Sequence, residues 1–287
     1  STTEALRKFY EKNSYELLKK TITFENLIDL EKFWEDIDSQ DDTRFSNRIL
    51  KKLFVLNYAP NGMWTYFASV YYMHNKNQEG ILDDSKFYDF LNKATAFIFA
   101  YAITNPGVNA LRAPVYTEMV NIVTNNDINF EKYKFDENNL RTLMKTYMFT
   151  NIRPVTKSML VWWMYTNENQ PLFSLDTSLE IEHIIAKNRQ ENERILNNIN
   201  NIEALGNKAI LEKRINIRAS DYRFQDKKKY YQGYINARGF KKEPTKDLEL
   251  IDISASKNDY LEKDIIERTD LIIEKFIDYV RENNLLK

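Results

Sequence analysis

Apolar positions recur every three or four residues through about the first 167 positions, in blocks of helical length. In "TTEALRKFYEKNSYELLKK", Leu6, Phe9, Tyr10, Leu17 and Leu18 fall near one helical face, and in "TFENLIDLEKFWEDI" so do Phe24, Leu27, Ile28, Leu30 and Phe33. The same period predicts helices over "RFSNRILKKLFVLNY", "MWTYFASVYYMH", "SKFYDFLNKATAFIFAYAI", "VYTEMVNIVTN", "NNLRTLMKTYMF" and "VTKSMLVWWMYTN". Breaks fall at "APNG", "TNPG" and "NQP", where Pro stands beside Gly or Asn, and Pro154 suits a first helical turn. The run Ala94 to Ile103 is apolar on all sides but spans only about half a membrane, which predicts a buried helix.

The period changes after "NENQPLFSLDT". "LEIEHIIA" alternates and then runs apolar, as a short strand does, "RQENERILNNI" is helical, and "GNKAILEKRIN" supplies a second strand or hairpin arm opened by a Gly. "DYRFQDKKKYYQGYI" reads as a short amphipathic helix with a basic face, "GFKKEPTKDLELID" as a polar loop, and "NDYLEKDIIERTDLIIEKFIDYVRENN" as a long closing helix. The expected fold is therefore mainly α: a helical bundle over residues 1–170, then a small α+β domain over 171–287 ending in a long helix. No fixed-period repeat interrupts this order.

Composition sharpens the picture. Hydrophobic residues at 43% and only six glycines and six prolines in 287 residues favour a folded, helix-rich globule over a disordered or turn-rich chain. With no cysteine, disulfides, thiol catalysis and Cys-ligated zinc are excluded, and a reducing, cytoplasmic setting is expected. The first twenty residues lack the apolar core of a secretory signal, so a soluble protein without membrane attachment is expected. A formal net charge of −1 hides an asymmetry: residues 182–246 carry 15 Lys and Arg against 8 Asp and Glu. Such a local excess on an acidic scaffold suits a polyanion site, or simply a solvated basic face.

Candidate chemistry gathers in that basic region. Glu182 and His183 close the alternating run, so at a strand end a carboxylate and an imidazole can both address one site. "LGNKAILEKRIN" then sets Asn207 and Asn216 nine positions apart, and an Asn carboxamide can hold a backbone or offer its oxygen to a hard cation.

Taken together, acid–His at a strand end, "GN-x-x-x-L", and a second Asn nine residues on resemble the HNH, or ββα-metal, nuclease motif. The flanks, "LEIEHIIAKN…ALGNKAILEKRINIRASDYRFQDKKKYY" and a terminal "II-x-x-R-x-x-x-I" (Ile265, Ile266, Arg268, Ile272), look like the DUF1524 domain of GmrSD-type restriction and phage-defence proteins. Ala186 stands where that family commonly has proline, and Asn216 where HNH sites often have the last histidine. The resemblance covers residues 175–280 best.

It implies metal-assisted hydrolysis of DNA phosphodiesters with one Mg²⁺ or Mn²⁺. His183 would be the general base, Glu182 and Asn216 metal ligands, and Asn207 the residue that holds the His183 loop and ring. Lys227, Lys228, Arg218 and Arg223 would bind DNA phosphates. Phe224, Tyr230 and Tyr231 are expected to pack the short helix, and His74 and the Trp162–Trp163 pair to be structural. Family members usually carry a nucleotide-dependent DUF262 half, so this chain is expected to be the C-terminal portion of a longer protein acting on phage DNA, modified or not. Two other readings stay open: a DNA-binding module with a degenerate HNH fold, and a helical protein-interaction scaffold.

Overall fold

A computed structural model describes residues 7, 8, 11, 14–107 and 109–287; of the first expected helix, Leu6, Phe9, Tyr10 and the Leu17 side chain lie outside them, and its described end is a short 3₁₀ turn, Glu16–Lys19, after left-handed Ser14 and Tyr15. The described chain is mainly α, with twelve α-helices and two small two-stranded sheets. Seven helices come first: α1 (Thr21–Asp38), α2 (Asn47–Asn57), α3 (Met63–Asn75), α4 (Asp84–Thr104), α5 (Arg112–Val123), α6 (Glu137–Thr146) and α7 (Pro154–Met164). After them run β1 (Leu179–His183), α8 (Lys187–Glu193), β2 (Lys208–Glu212), α9 (Lys213–Ala219) and α10 (Phe224–Gln232). A two-residue hairpin, β3 (Tyr234–Ile235) with β4 (Lys241–Lys242), precedes α11 (Leu248–Ser256) and α12 (Glu262–Glu282). No described helix is long and apolar enough to cross a membrane.

Local chemistry explains many of the helix ends. Asp83, Asp136 and Asp247 each place a carboxylate oxygen on a free backbone N–H in the first turn of α4, α6 and α11. Pro154 occupies the first turn of α7, where no N–H is needed. The uniformly apolar stretch of α4 is the centre of the larger core: Phe97, Ile98, Phe99 and Ala100 are fully buried among α2, α6, α7 and α12. Aromatic stacking fills the rest, as in Phe97 on Phe130 at 3.7 Å and Tyr71 on Phe90 at 4.1 Å between ring centres.

Three sequence expectations are corrected. Phe24, Leu27 and Ile28 on α1 are more than half exposed, because only the second half of that helix packs, with Phe33 stacked on Tyr72 and Trp34 against Trp64. The segment "RQENERILNNI" is helical only as far as Glu193 and resumes as a 3₁₀ turn at Ile199–Glu203. The polar loop around "KDLELID" in fact enters helix α11, capped by Asp247.

The second core is smaller and joins Ile184, Ile185, Leu211, Phe224, Tyr231 and Ile265. Between the two cores lies the β1–β2 ribbon: Leu179 and Ile210 enter the helical core, Ala209 and Leu211 the smaller one. The segment leading into β2 is pressed against α12, and Gly206 is the point of closest approach. A Cβ there would overlap the Ile265 carbonyl oxygen and crowd Thr269. Gly206→Ala is therefore expected to cost about 2–3 kcal/mol, as other overpacked core sites do; a thermal melt within a degree of the parent would contradict this.

Candidate functional site

β1 and β2 pair antiparallel with Glu182 opposite Ala209 and His183 opposite Lys208. Side chains alternate along a strand, so Glu180 and Glu182 share one face of the ribbon while Ile181 and His183 share the other. Helix α9 leaves β2 without a loop and packs across both strands on the glutamate face, giving a strand–strand–helix unit. Its Asn216 side-chain amide donates to Glu180 Oε2 at 2.7 Å. The period-two spacing Glu-x-Glu-His is the signal that identifies Glu180, which the motif alone passed over.

Glu182 is buried, and its Oε1 accepts from Lys227 Nζ at 2.6 Å and from the Tyr231 hydroxyl. Burial pushes its carboxyl above the usual range, while the Lys227 ammonium acts in the opposite direction. Lys227 itself is fully buried and also donates to the His183 carbonyl at 2.7 Å. The expectation that Lys227 contacts DNA phosphate is corrected: a cation drawn into an apolar layer must sit on a counter-charge, and Glu182 is that charge.

On the opposite face the His183 ring is mostly covered. Its Nε2 is buried without a hydrogen bond, 3.7 Å from Glu203 Oε2. Glu203 comes from the 3₁₀ turn before β2 and carries two lysines, Lys208 Nζ at 2.5 Å and Lys187 Nζ at 3.4 Å. Lys208 is fully buried and reaches the Phe149 carbonyl and Asn151 Oδ1 of the helical region. Burial, then the charge of Lys208, lowers His183 from 6.5 to about 4, so the imidazole is neutral at pH 7. No local sequence pattern tied Glu203 to His183.

Asn207 is fully buried and pins the turn after His183. Its Oδ1 accepts from Ile185 N at 2.8 Å, its Nδ2 donates to the carbonyls of Ile185 and Ile202, and its own carbonyl accepts from Ile184 N. Those contacts hold the loop; none is to the ring. Arg268, buried on α12, donates from Nη1 to the carbonyls of Leu205, Gly206 and Lys208 and clasps Glu249 with its other nitrogens. The terminal motif that marked the family thus serves as a clip on the segment that carries Asn207.

Of the remaining basic candidates, Arg223 is exposed and bonds Glu193 at 3.1 Å. Lys228 is half-buried and donates to the Lys257 carbonyl, and Arg218 lies half-buried over the Tyr234 ring. As expected, Phe224 and Tyr231 pack inward and Trp162 is core, while His74 bonds Asn125 far along the chain.

Among the described residues no three His, Asp or Glu side chains converge as a metal group. The oxygen donors that share one face, Glu180, Glu182 and the Asn216 carboxamide, are nonetheless of the type a hard dication takes, and two of them already touch. Residues 127–275, just over half of the chain, match the family of C-terminal domains of GmrSD restriction endonucleases. No curated protein and no solved structure gives a significant match.

Two outcomes follow from the paired charges. Lys227→Met, which leaves Glu182 buried and alone, is expected to cost about 3–5 kcal/mol in urea unfolding, much of it recovered in the Glu182→Gln/Lys227→Met pair. In the unfolded chain His183 titrates near its ordinary 6.5, so between there and about 4 the unfolded state binds a proton that the fold refuses. Stability should therefore fall as pH drops through that window, less steeply in His183→Gln; equal slopes for the two proteins would refute the assignment.

Proposed function

We propose that this chain, which belongs to the family of GmrSD restriction endonuclease C-terminal domains, cuts DNA as a metal-dependent endonuclease with an HNH-type site. Family membership makes it a domain of restriction-endonuclease type. The finer reading rests on one observation: the β1–β2–α9 unit sets Glu180, Glu182 and Asn216 on one face of the ribbon, with Asn207 locking the turn after His183, whose ring lies on the other face.

The roles follow from the chemistry. Glu182 and Asn216, together with Glu180, would hold one Mg²⁺ or Mn²⁺; when bound, the ion supplies positive charge to the phosphate and the leaving oxygen. For His183, neutral at pH 7, to accept the proton of the attacking water, its ring must turn past the end of β1 from the face opposite Glu182. Asn207 keeps the Ile184–Ile185 backbone fixed, so the base does not drift with its loop. Lys227 holds the Glu182 carboxylate in place from inside rather than meeting the substrate. Arg223, Arg218 and Lys228 remain as backbone contacts, which give affinity without sequence preference and a strong dependence on salt.

Residues 171–287 carry this chemistry in the proposal, and residues 1–170 form the helical scaffold. The DNA substrate, modified or not, and a DUF262 half in a longer protein of cytoplasmic phage defence belong to the same reading.

Supercoiled plasmid incubated with the full chain tests it. Nicking or linearisation in Mg²⁺ or Mn²⁺, abolished by EDTA and reduced at least ~100-fold in His183→Ala, is the expected result. Retarded DNA that stays uncut in both metals would replace the nuclease with a DNA-binding module of the same fold.

A further inference from the structure

Three large apolar side chains that the fold leaves exposed, Ile195 at 43%, Tyr222 at 43% and Leu261 at 44%, meet at one cavity. Such convergence marks a binding site more than single exposed residues do. The cavity measures about 240 Å³, and Ile184, Ile185 and Phe224 of the smaller core form its floor. It is smaller than the ~300–1,000 Å³ of pockets for drug-sized ligands and suits one planar ring system. Tyr222 is set for stacking: it lies at 14° to Tyr230 with 5.8 Å between ring centres, which fixes its plane at the mouth.

The polar part of the rim is charged but balanced. Glu193 accepts from Arg189 and from Arg223, and the Arg189 guanidinium beside it, with Arg223, holds its carboxyl below the usual range. An ionised acceptor therefore stands at the mouth, next to an exposed guanidinium. The cavity is also tied to the strand end. Ile184 follows His183 in the chain, and Phe224 stands one turn of α10 before Lys227, which holds Glu182.

We infer that this cavity takes a nucleobase of the DNA strand, turned out of the stack, while that strand lies at the end of β1. This rests on the reading of the chain as a DNA endonuclease. Tyr222 stacks on the base, Ile195 and Leu261 cover its edges, and Glu193 accepts from its amino group, as acidic side chains do from cytosine. Arg223 meets the phosphate of the same nucleotide.

Binding of the full chain to two duplexes in EDTA carries the test, one fully paired and one with a single unpaired cytosine. The second should bind about 10-fold tighter or better, because an unpaired base is the easiest to extrude. With 5-iodocytosine at that position, near-ultraviolet light should crosslink the DNA to Tyr222 or Phe224, read by mass spectrometry of the peptides. Tyr222→Ala removes the stacking ring and Ile195→Trp fills the cavity, both at exposed positions where the fold tolerates change. Each should bring the two affinities within about twofold of each other and abolish the crosslink. Equal affinities in the parent chain, or a preference that both variants keep, overturns the base pocket and leaves the nuclease reading standing. A chain that binds neither duplex at low salt and cuts no plasmid in Mg²⁺ or Mn²⁺ overturns that reading, and the pocket falls with it.

Discussion

Arg268 is the constraint on which the rest of the site depends. Its guanidinium is buried on α12, and a buried cation is tolerable only when its donors are matched. Glu249 on α11 takes two of them, and the carbonyls of Leu205, Gly206 and Lys208 take the others. One side chain thus ties two helices to the irregular segment before β2. Tyr260 adds its hydroxyl to the Gly206 carbonyl, and the absence of a Cβ at Gly206 lets that backbone lie against α12. With the segment held, Asn207 and Lys208 are delivered to opposite sides of the ribbon.

The ribbon then behaves as a partition between two small charge systems. On one side Glu182 is neutralised by Lys227 and accepts a hydrogen bond from the Tyr231 hydroxyl; on the other Glu203 is neutralised by Lys208 beside His183. Both systems are paired internally, which is the condition for keeping charges out of water. Lys208 and Lys157 also bind the helical region to the ribbon, the first through the 149–151 turn and the second from α7 to the Leu179 carbonyl. The helical region therefore takes part in holding the site rather than only carrying it.

Periodicity and motif spacing reached far into this architecture. The helix-by-helix order, the buried centre of α4, the strand at Leu179–His183 and the long closing helix all follow from patterns within ten or twenty neighbouring residues. The strand end at Glu182–His183 and the second strand that follows Asn207 were likewise visible, because alternation and a break at Gly are short-range patterns. Such properties are local, and the sequence by itself determined them.

What lay outside its reach was the partnering of side chains from distant segments. That Lys227 turns inward to Glu182 is decided by how α10 docks on the ribbon, 45 positions further along the chain. That Phe24, Leu27 and Ile28 stay uncovered depends on which half of α1 meets α3. Glu203 meets His183 only because the 3₁₀ turn folds back beneath β1. Burial of a charge is settled by whatever opposite charge the packing brings within reach, and only the tertiary structure decides that.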